Sequence, residues 1–180
     1  MSQLILAVNR LDQSLGLIDK YEAHRRGILH RAFSIFIFRF MGSSLEVLLH
    51  QRAKDKYHSS GLWTNTCCSH ALDEDSLEET AKKRLQEEMG FSSELHRVGS
   101  FYYKADVGHD MVEHEIDHVF VGLDNPEFIR PNPQEVQDWQ WRSVDSLLKL
   151  SSEEQKLFTV WFFQGFELAL THFKTKVVVK

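Results

Sequence analysis

Cysteine is scarce in this sequence: the only two cysteines, Cys67 and Cys68, are adjacent. A disulfide between sequence neighbours strains badly against the usual bond geometry, so no disulfide framework is expected. Free cysteines are typical of a reducing compartment, and we expect a cytoplasmic protein. The sequence has no apolar run long enough to span a bilayer. Residues 1–6 lack both the charged n-region and the small-residue cleavage site of a signal peptide.

An excess of positive charge is missing as well. The formal net charge is -5 at pH 7. This value argues against nucleic acid as a partner, but it is compatible with a small basic pocket that binds an anionic substrate. The sequence has no low-complexity stretch, no linker rich in proline, glycine or serine, and no internal repeat. Its 180 residues therefore predict one domain over residues 1–180.

The sequence does contain clear strand and helix patterns. Segments rich in β-branched and aromatic residues predict strands at 4–8, 32–39, 46–51, 98–104, 112–123 and 138–142, with a turn at 12–16. Helical patterns occupy 75–89, 144–150 and 153–173. The segment 32–39 is almost continuously apolar, which predicts a central strand buried on both faces, with 46–51 as its hairpin partner across 41–44. This order predicts an α/β (α+β) fold with a mixed sheet.

The helix at 75–89 is the clearest predicted element. Its apolar stripe, at helical spacing, consists of Leu77, Ala81, Leu85 and Met89. Asp75 is the predicted N-cap, Glu78 lies three positions further on, and Gly90 supplies the C-terminal stop. Ser151 and Glu154 repeat the capping-box pattern at the start of the last helix.

Five side chains, far apart in sequence, suit a divalent metal. Glu113 and Glu115 lie on a predicted strand and point the same way, so their carboxylates repel each other unless a cation lies between them. For this pair alone a solvated strand face is the better interpretation, and a single histidine is usually structural or exposed. Together with His24, His30 and His70, the pair forms a five-ligand set of nitrogen and oxygen atoms suited to Mn²⁺, Mg²⁺ or Zn²⁺.

Basic residues and a thiol form a second group. Four cations could bind phosphate, although each alone is more often a solvated surface charge: Lys20, Arg52, Lys56 and Arg84. Cys68 lies in a polar run two positions before His70. A thiol near cations or a metal has a lowered pKa and can carry protons. The alternative is a buried inert thiol, a role that Cys67 suits better.

These clusters resemble the signature segments of type I isopentenyl diphosphate isomerases. The matching segments, in chain order, are Lys20-Tyr21-x-x-His24, Leu29-His30-Arg31-Ala32-Phe33-Ser34, Gln51-Arg52-Ala53, Trp63-Thr64-Asn65-Thr66-Cys67-Cys68-Ser69-His70 and Glu113-His114-Glu115. The run from Thr64 to His70 is the most specific part, and the resemblance extends from about Leu4 to Trp161. This family belongs to the Nudix superfamily, so the resemblance implies an α/β/α sandwich with a mixed β-sheet.

The Nudix box, Gly-x5-Glu-x7-Arg-Glu-φ-x-Glu-Glu-x-Gly-φ, is only partly kept. Aligned on Gly90, its fixed positions hold Ser69, Asp75, Lys83, Arg84, Leu85, Glu87, Glu88 and Gly90. The final glutamates match, but Lys83-Arg84 stands where the box has Arg-Glu, and Ser69 where it has glycine. A hydrolase needs a carboxylate cage that holds Mg²⁺ and activates water. Arginine at a cage position therefore favours binding a diphosphate over hydrolysing it.

The resemblance implies a role for each candidate. The implied ligands of a tightly bound metal are His24, His30, His70, Glu113 and Glu115. Cys68 and Glu115 are the implied catalytic residues, Tyr103 assists the glutamate, and Trp161 lines the isoprenoid pocket. For Trp161, plain packing in the final helix is at least as likely from the sequence alone. The implied diphosphate contacts are Lys20, Arg52, Lys56, Ser69 and Arg84. A second cation, Mg²⁺ bound with the diphosphate, is implied at Glu88 and the Cys68 main-chain carbonyl.

The implied activity converts isopentenyl diphosphate to dimethylallyl diphosphate through a tertiary carbocation, a step of isoprenoid biosynthesis, in a monomer or weak homodimer. Two alternatives stay open: a Nudix hydrolase of a nucleoside diphosphate derivative, and a non-catalytic module that binds a metal or a partner. His114 is expected to face away from the glutamates, and the sequence assigns no role to His109 or His118.

Overall fold

The fold is a nine-stranded sheet with helices on both faces, seen in a computed structural model that describes residues 3–72 and 76–177. The strands are β1 (Leu4–Val8), β2 (Ser14–Asp19), β3 (His30–Met41), β4 (Ser44–Arg52), β5 (Trp63–Thr64), β6 (Cys67–His70), β7 (His96–Asp106), β8 (Val112–Leu123) and β9 (Val136–Ser143). The helices are α1 (Lys20–Arg26), α2 (Leu77–Met89), α3 (Val144–Leu147), α4 (Ser152–Gln155) and α5 (Phe162–Val177).

Strand β3 is the centre of the sheet, as its apolar sequence predicts. It pairs with β8 in parallel and with β1, β4 and β6 in antiparallel orientation, so the sheet is mixed. The predicted hairpin between β3 and β4 is confirmed, with Met41 opposite Ser44. A strand with neighbours on both sides and helices on both faces can have no polar face, which explains its composition.

Alternate residues of β3 serve two separate cores. Phe36 and Phe38 pack with α5 in one hydrophobic cluster, and Ile35 and Ile37 pack with α2 in another. All four side chains are fully buried. Burial of each such side chain stabilises the fold by about 1.5–3 kcal/mol. The α/β/α sandwich with a mixed sheet is therefore confirmed.

Helix α2 ends where the sequence predicts, at a left-handed Gly90 with φ 78°. A Cβ atom there would lie 2.3 Å from the carbonyl oxygen of Arg130, so only glycine fits. At the other end, Ser76 is the N-cap and its hydroxyl accepts from the Glu79 amide. The predicted N-cap Asp75 lies outside the described residues.

Two predictions about local structure are wrong. Residues 12–16 are not only a turn: β2 begins at Ser14 and runs as an edge strand into α1, which the sequence analysis missed. The helix predicted at 153–173 is two helices, although the capping box of Ser151 and Glu154 is present. Between them the chain bonds to β5 instead: the Trp63 amide donates to the Leu157 carbonyl, and the Thr159 amide to the Trp63 carbonyl. Among the described residues, no helix is long and apolar enough to cross a bilayer.

Candidate active site

The five predicted metal ligands come together because three strands and one helix meet at one end of β3. His30 begins β3 and lies beside Glu115 in the parallel pairing with β8. His70 ends β6 opposite Ala32, and His24 lies in α1. We call His24, His30, His70, Glu113 and Glu115 the metal-ligand cluster: one potential ligand atom from each lies within 4.8 Å of all the others.

The metal-ligand cluster is dry and tightly packed. The two glutamates have exposed fractions of only 3% and 5%, so a solvated strand face, the better interpretation for the pair alone, is wrong. Glu113 Oε2 lies 3.3 Å from His24 Nε2 and 3.8 Å from His30 Nε2. Glu115 Oε1 lies 3.3 Å from His30 Nε2 and 3.1 Å from His70 Nε2.

The donor atoms of the metal-ligand cluster fit a divalent cation. His24 Nδ1 lies 2.6 Å from the Lys20 carbonyl and His30 Nδ1 lies 2.8 Å from the Ile28 carbonyl. These contacts place the ring protons on Nδ1, so the Nε2 lone pairs point into the cluster. Within the cluster, His30 Nε2 and Glu113 Oε2 are buried without a hydrogen-bond partner. Buried polar atoms are rarely left unpaired, and a metal would satisfy both.

The pKa values of the two carboxyl groups are shifted in opposite directions: that of Glu113 is lowered and that of Glu115 is raised. Burial alone would raise the pKa of Glu113, but its interactions with His24 and His58 outweigh burial and hold that pKa well below its usual value. Burial raises the pKa of Glu115 to about 7, with the negative charge of Glu113 as the next cause. Burial lowers the pKa of His30, but the close approach of Glu115 and the charges of both glutamates more than compensate, so the net shift is upward. Glu115 is thus able to hold a proton near neutral pH.

Tyr103 is aimed at Glu115 by strand register. It lies opposite Glu115 in the pairing of β7 with β8, and its hydroxyl donates to Glu115 Oε2 at 2.5 Å. Burial, followed by the charge of Glu115, raises the pKa of Tyr103 well above its usual value. The tyrosine therefore stays neutral and acts as a fixed hydrogen-bond donor to the carboxyl group.

Cys68 and Glu115 line one cavity of about 100 Å³ that opens to solvent. Cys68 is partly exposed, while Cys67 is fully buried against α2 with the apolar character predicted for it. The predicted lowering of the Cys68 pKa is wrong for this substrate-free site. Burial raises the pKa of Cys68 to about 12, because it outweighs the opposing effect of Arg52. The thiol is neutral here.

The four predicted phosphate binders line the same cavity, together with Ser69 and Glu88. We call Lys20, Arg52, Lys56 and Arg84 the cation group. Each of its members already has a partner. Lys56 pairs with Glu135, and Arg84 pairs with Glu88 and lies 3.6 Å from Glu135.

The other two members of the cation group bond to neutral oxygens. The Arg52 guanidinium donates at 3.1 Å to the carbonyls of His58 and Ser59. Lys20 Nζ donates to the Gln3 amide oxygen at 3.4 Å. Burial, followed by repulsion from Lys56, lowers the pKa of Lys20 to about 8.

Trp161 closes the cavity on the apolar side. Its ring centroid lies 6.4 Å from that of Tyr103 and 5.5 Å from the Arg52 guanidinium carbon. The indole nitrogen donates to Asn65 at 3.3 Å. Trp161 directly precedes α5, and its carbonyl accepts from the Gly165 amide, so plain packing at the start of this helix stays open as its alternative role.

The cavity wall also contains residues that the sequence did not reveal, among them His58, Asp117 and Glu135. Asp117 follows Glu115 by two positions on the same strand face, so the alternation rule could have identified it. Its Oδ2 accepts from Ser34 at 2.7 Å. His58 and Glu135 lie in loops where no periodic pattern marks them.

Other residues singled out by the sequence lie elsewhere. His114 faces away from the glutamates as predicted, bonding to the Gly27 carbonyl at 2.6 Å. His118 pairs with Asp12 at 2.9 Å, and His109 lies in an exposed turn. Of the Nudix-box positions, Lys83 and Glu87 are on the outer face of α2, whereas Arg84 and Glu88 line the cavity.

Comparison with known proteins gives the family. Residues 28–162 match the NUDIX domain family. The chain is 45% identical over 162 residues to an isopentenyl-diphosphate Delta-isomerase of Serratia proteamaculans, covering 90% of this chain and 88% of the relative. It is 38% identical over 178 residues to the Photobacterium profundum protein of the same name, covering 98% and 99%.

Solved structures share the fold at low identity. The MutT protein of Methanosarcina mazei has a TM-score of 0.64 at 18% identity, over 81% of this chain and 96% of its own. The NUDIX domain of Shewanella oneidensis NrtR, in complex with ADP ribose, has a TM-score of 0.61 at 16% identity, over 87% and 99%. With a NUDIX domain and relatives of this identity over nearly its whole length, the chain belongs to the isopentenyl-diphosphate Delta-isomerase family.

Proposed function

We propose that this protein converts isopentenyl diphosphate to dimethylallyl diphosphate, in line with the names of its curated relatives. The observation that supports the proposal most is a single cavity lined by two proton carriers and a group of cations. The Glu115 carboxyl, held by Tyr103, shares this cavity with the Cys68 thiol. An isomerase of a diphosphate needs these parts together.

The reaction moves an unactivated terminal double bond inward. A proton is added at C4, C3 becomes a tertiary carbocation, and the electron pair of a C2–H bond forms the new C2=C3 bond as that proton leaves. The site must therefore supply an acid, a base and a pocket that keeps water from the cation.

The metal-ligand cluster would hold one divalent cation, Mn²⁺, Mg²⁺ or Zn²⁺, through three imidazoles and two carboxylates. When bound, this ion supplies a fixed positive charge that orients Glu115 and makes its proton more acidic. The buried, unpaired atoms of His30 and Glu113 support this proposal.

Glu115 is the proposed acid and Cys68 the proposed base. Glu115 gives its proton to C4 while the Tyr103 hydroxyl fixes the direction of the carboxyl group. Cys68 takes the C2 proton from the opposite face. Because burial keeps the resting thiol neutral, Cys68 must first give its proton to solvent at the cavity mouth, a loss that the charges of Arg52 and Lys56 favour. The reverse reaction exchanges the two roles and starts from the neutral thiol.

The carbocation needs a neighbour that stabilises it without reacting. The π face of Trp161 can do so, with about 2 kcal/mol or more when the cation is desolvated. Trp161 is 4% exposed and Tyr103 is 8% exposed, so this side of the cavity is dry. Exclusion of water protects the cation from capture as an alcohol.

The cation group and Ser69 would bind the diphosphate. The substrate oxygens would replace the carboxylates that now pair with Lys56 and Arg84. Glu88 and the Cys68 main-chain carbonyl would hold the Mg²⁺ that accompanies the diphosphate. Glu88 is 3% exposed, and burial raises its pKa, so it gains most from a nearby cation.

A Nudix hydrolase is not favoured. The curated relatives are named isomerases. Arg84, which stands where the Nudix box has a carboxylate, points into the cavity and pairs with Glu88. Its charge occupies the place where a hydrolase collects carboxylates around a metal.

The function is tested by incubating the protein with isopentenyl diphosphate and Mg²⁺ and following ¹H and ³¹P NMR signals. The expected product is dimethylallyl diphosphate with its diphosphate intact. Release of phosphate would select the hydrolase. Bound metal without any change in the substrate would select the non-catalytic module.

The setting of the activity is part of the same proposal. We place the protein in the cytoplasm, as one domain acting as a monomer or weak homodimer, without nucleic acid or membrane partners. Its two free cysteines support a reducing compartment. Size-exclusion chromatography with light scattering measures the oligomeric state, and a stable higher oligomer would contradict the last part.

A further inference from the structure

His58, a residue outside the predicted site, is buried beside the metal-ligand cluster with an exposed fraction of 2%. It lies in the loop between β4 and β5. We infer that His58 is a positioning residue: its ring N–H holds the Glu113 carboxylate in the orientation that presents one oxygen to the metal. This inference rests on the metal site of the proposed function.

The Glu113 carboxylate divides its two oxygens between two tasks. Oε1 accepts from His58 Nε2 at 2.9 Å. Oε2 faces the histidines of the cluster, 3.3 Å from His24 Nε2, and has no hydrogen-bond partner. The terminal torsion of a glutamate is soft and only weakly restricted by itself. The bond to His58 therefore decides which oxygen the metal meets, and it stabilises the ionised form of Glu113.

His58 acts on the ligand and is not a ligand itself. Its Nε2 carries the proton that it donates to Glu113, so Nε2 has no lone pair to offer a metal. Its Nδ1 lies 3.1 Å from the Ser59 hydroxyl, which can donate to it. Both ring nitrogens are thus engaged in the neutral tautomer. Among the described residues, His58 is also not part of the group whose ligand atoms converge.

The loop that carries His58 is fixed on two sides. The main-chain carbonyls of His58 and Ser59 accept from the Arg52 guanidinium, both at 3.1 Å. The His58 ring also packs edge-on against Tyr57, with centroids 4.4 Å apart, and against Trp161, at 6.3 Å. The ring has little freedom to turn, so its N–H has one direction.

The side chain and the main chain of His58 contact different parts of the site. The side chain reaches Glu113, and the main-chain carbonyl reaches Arg52, a proposed diphosphate contact. A substitution at His58 keeps the carbonyl. It should therefore weaken metal binding much more than diphosphate binding, a split that general loosening of the site would not produce.

The test measures Zn²⁺ affinity of the metal-stripped full-length protein by competition with a chromophoric chelator. His58→Leu fills much of the ring's space without a donor, and His58→Gln keeps an N–H donor. His58→Leu should weaken Zn²⁺ binding by about 10- to 100-fold, the usual effect of removing a partner of a metal ligand. His58→Gln should lose less than about fivefold. Inorganic pyrophosphate affinity should change by less than about threefold in both variants.

His114→Gln is the matched control. His114 lies between the two glutamates of the cluster but bonds to Gly27 and Tyr102 on the other face of β8. Its Zn²⁺ affinity should match that of the unmodified protein. Circular dichroism melting of each metal-free variant checks the fold. If His58→Leu does not fold, His58→Asn takes its place, since its amide is too short to reach Glu113.

Two results would overturn the inference. One is a His58→Leu protein, folded, that binds Zn²⁺ as tightly as the unmodified protein. The other is an equal loss in His58→Leu and His58→Gln, which would assign the effect to packing. Because the readout is metal affinity, it stands apart from turnover: the inference can hold even if the isomerase assay fails, and it can fail while that assay succeeds.

Discussion

The metal-ligand cluster and the cation group lie at the same cavity, but they differ in whether their polar atoms already have partners. In the metal-ligand cluster, like charges are buried together, and atoms of His30 and Glu113 have no hydrogen-bond partner. In the cation group, every side chain has an oxygen partner, from Gln3, Glu135, Glu88 or the His58 loop. In the proposed function, the first region would hold a permanent ion, whereas the second would exchange partners whenever substrate enters or leaves.

The contrast separates two kinds of site: one in which the fold leaves buried atoms without partners until a ligand binds, and one in which existing partners are replaced by the ligand. An unpaired buried carboxylate is costly, so a metal that binds there gains affinity from that cost. Ion pairs that are partly exposed contribute little on their own, so their exchange for a diphosphate has a low barrier.

Replacing the proposed acid should have the largest effect. Glu115→Gln keeps the shape of the side chain but cannot deliver a proton. Loss of general acid catalysis should lower kcat by about 10²- to 10⁴-fold. Initial rates of dimethylallyl diphosphate formation measure it. Tyr103→Phe, which removes only the hydrogen bond to Glu115, should lose far less. Equal losses in both variants would contradict the assignment of the acid.

Metal affinity should depend on pH with a definite sign. The Glu115 carboxyl has a pKa of about 7 in the metal-free site, and a bound metal favours its ionised form. Below pH 7 protons compete with the metal, so affinity should rise with pH and level off above about pH 7. From pH 5.5 to 7.5 the gain should be about 30-fold. Titration calorimetry in two buffers with different ionisation heats should also detect proton release. A flat profile would contradict the buried carboxyl pair.

Removing the indole should cost less than removing the acid. Trp161→Leu keeps an apolar side chain but loses the π face. The cation–π contribution of about 1–2 kcal/mol corresponds to about a tenfold fall in kcat. Trp161→Phe retains a π face and should lose less. A fall in kcat that is equal for both variants would assign Trp161 to packing alone.

The smallest change concerns the cation group. Glu135→Gln removes the carboxylate that pairs with Lys56 and neighbours Arg84. With these cations released, inorganic pyrophosphate without Mg²⁺ should bind about threefold to tenfold more tightly. Glu46→Gln is a matched control, because Glu46 pairs with Arg39 away from the cavity at similar exposure. Weaker pyrophosphate binding in Glu135→Gln would show that this ion pair holds the site in shape.

Sequence reasoning succeeded where signals were local. The apolar run of β3, its hairpin to β4 and the stop at Gly90 depend on residues close in sequence. The break before α5 was missed because Leu157 and Thr159 bond to Trp63 of β5, which lies more than ninety residues earlier in the chain. No helical periodicity could reveal that competition.

The site shows the same limit. The sequence could mark Cys68 as a candidate proton carrier, but the sign of its pKa shift depends on how deeply the fold buries it. His58 and Glu135 reach the cavity from loops. The contacts of His58 with Glu113 and of Glu135 with Arg84 join residues far apart in sequence, so only the folded structure reveals them. Residue type at a position predicts which chemistry is available. The packing around that position decides whether burial or neighbouring charge sets the direction of the pKa shift.

The most direct test of the central claim, that Glu115 and Cys68 carry protons across one shared cavity, is turnover of isopentenyl diphosphate in D₂O, resolved by carbon position. The unmodified protein should place deuterium at C4 and remove hydrogen from C2. Cys68→Ala should form product at least about 100-fold more slowly, while Cys67→Ala, its buried neighbour, should behave like the unmodified protein. Near-full turnover by Cys68→Ala would contradict the account.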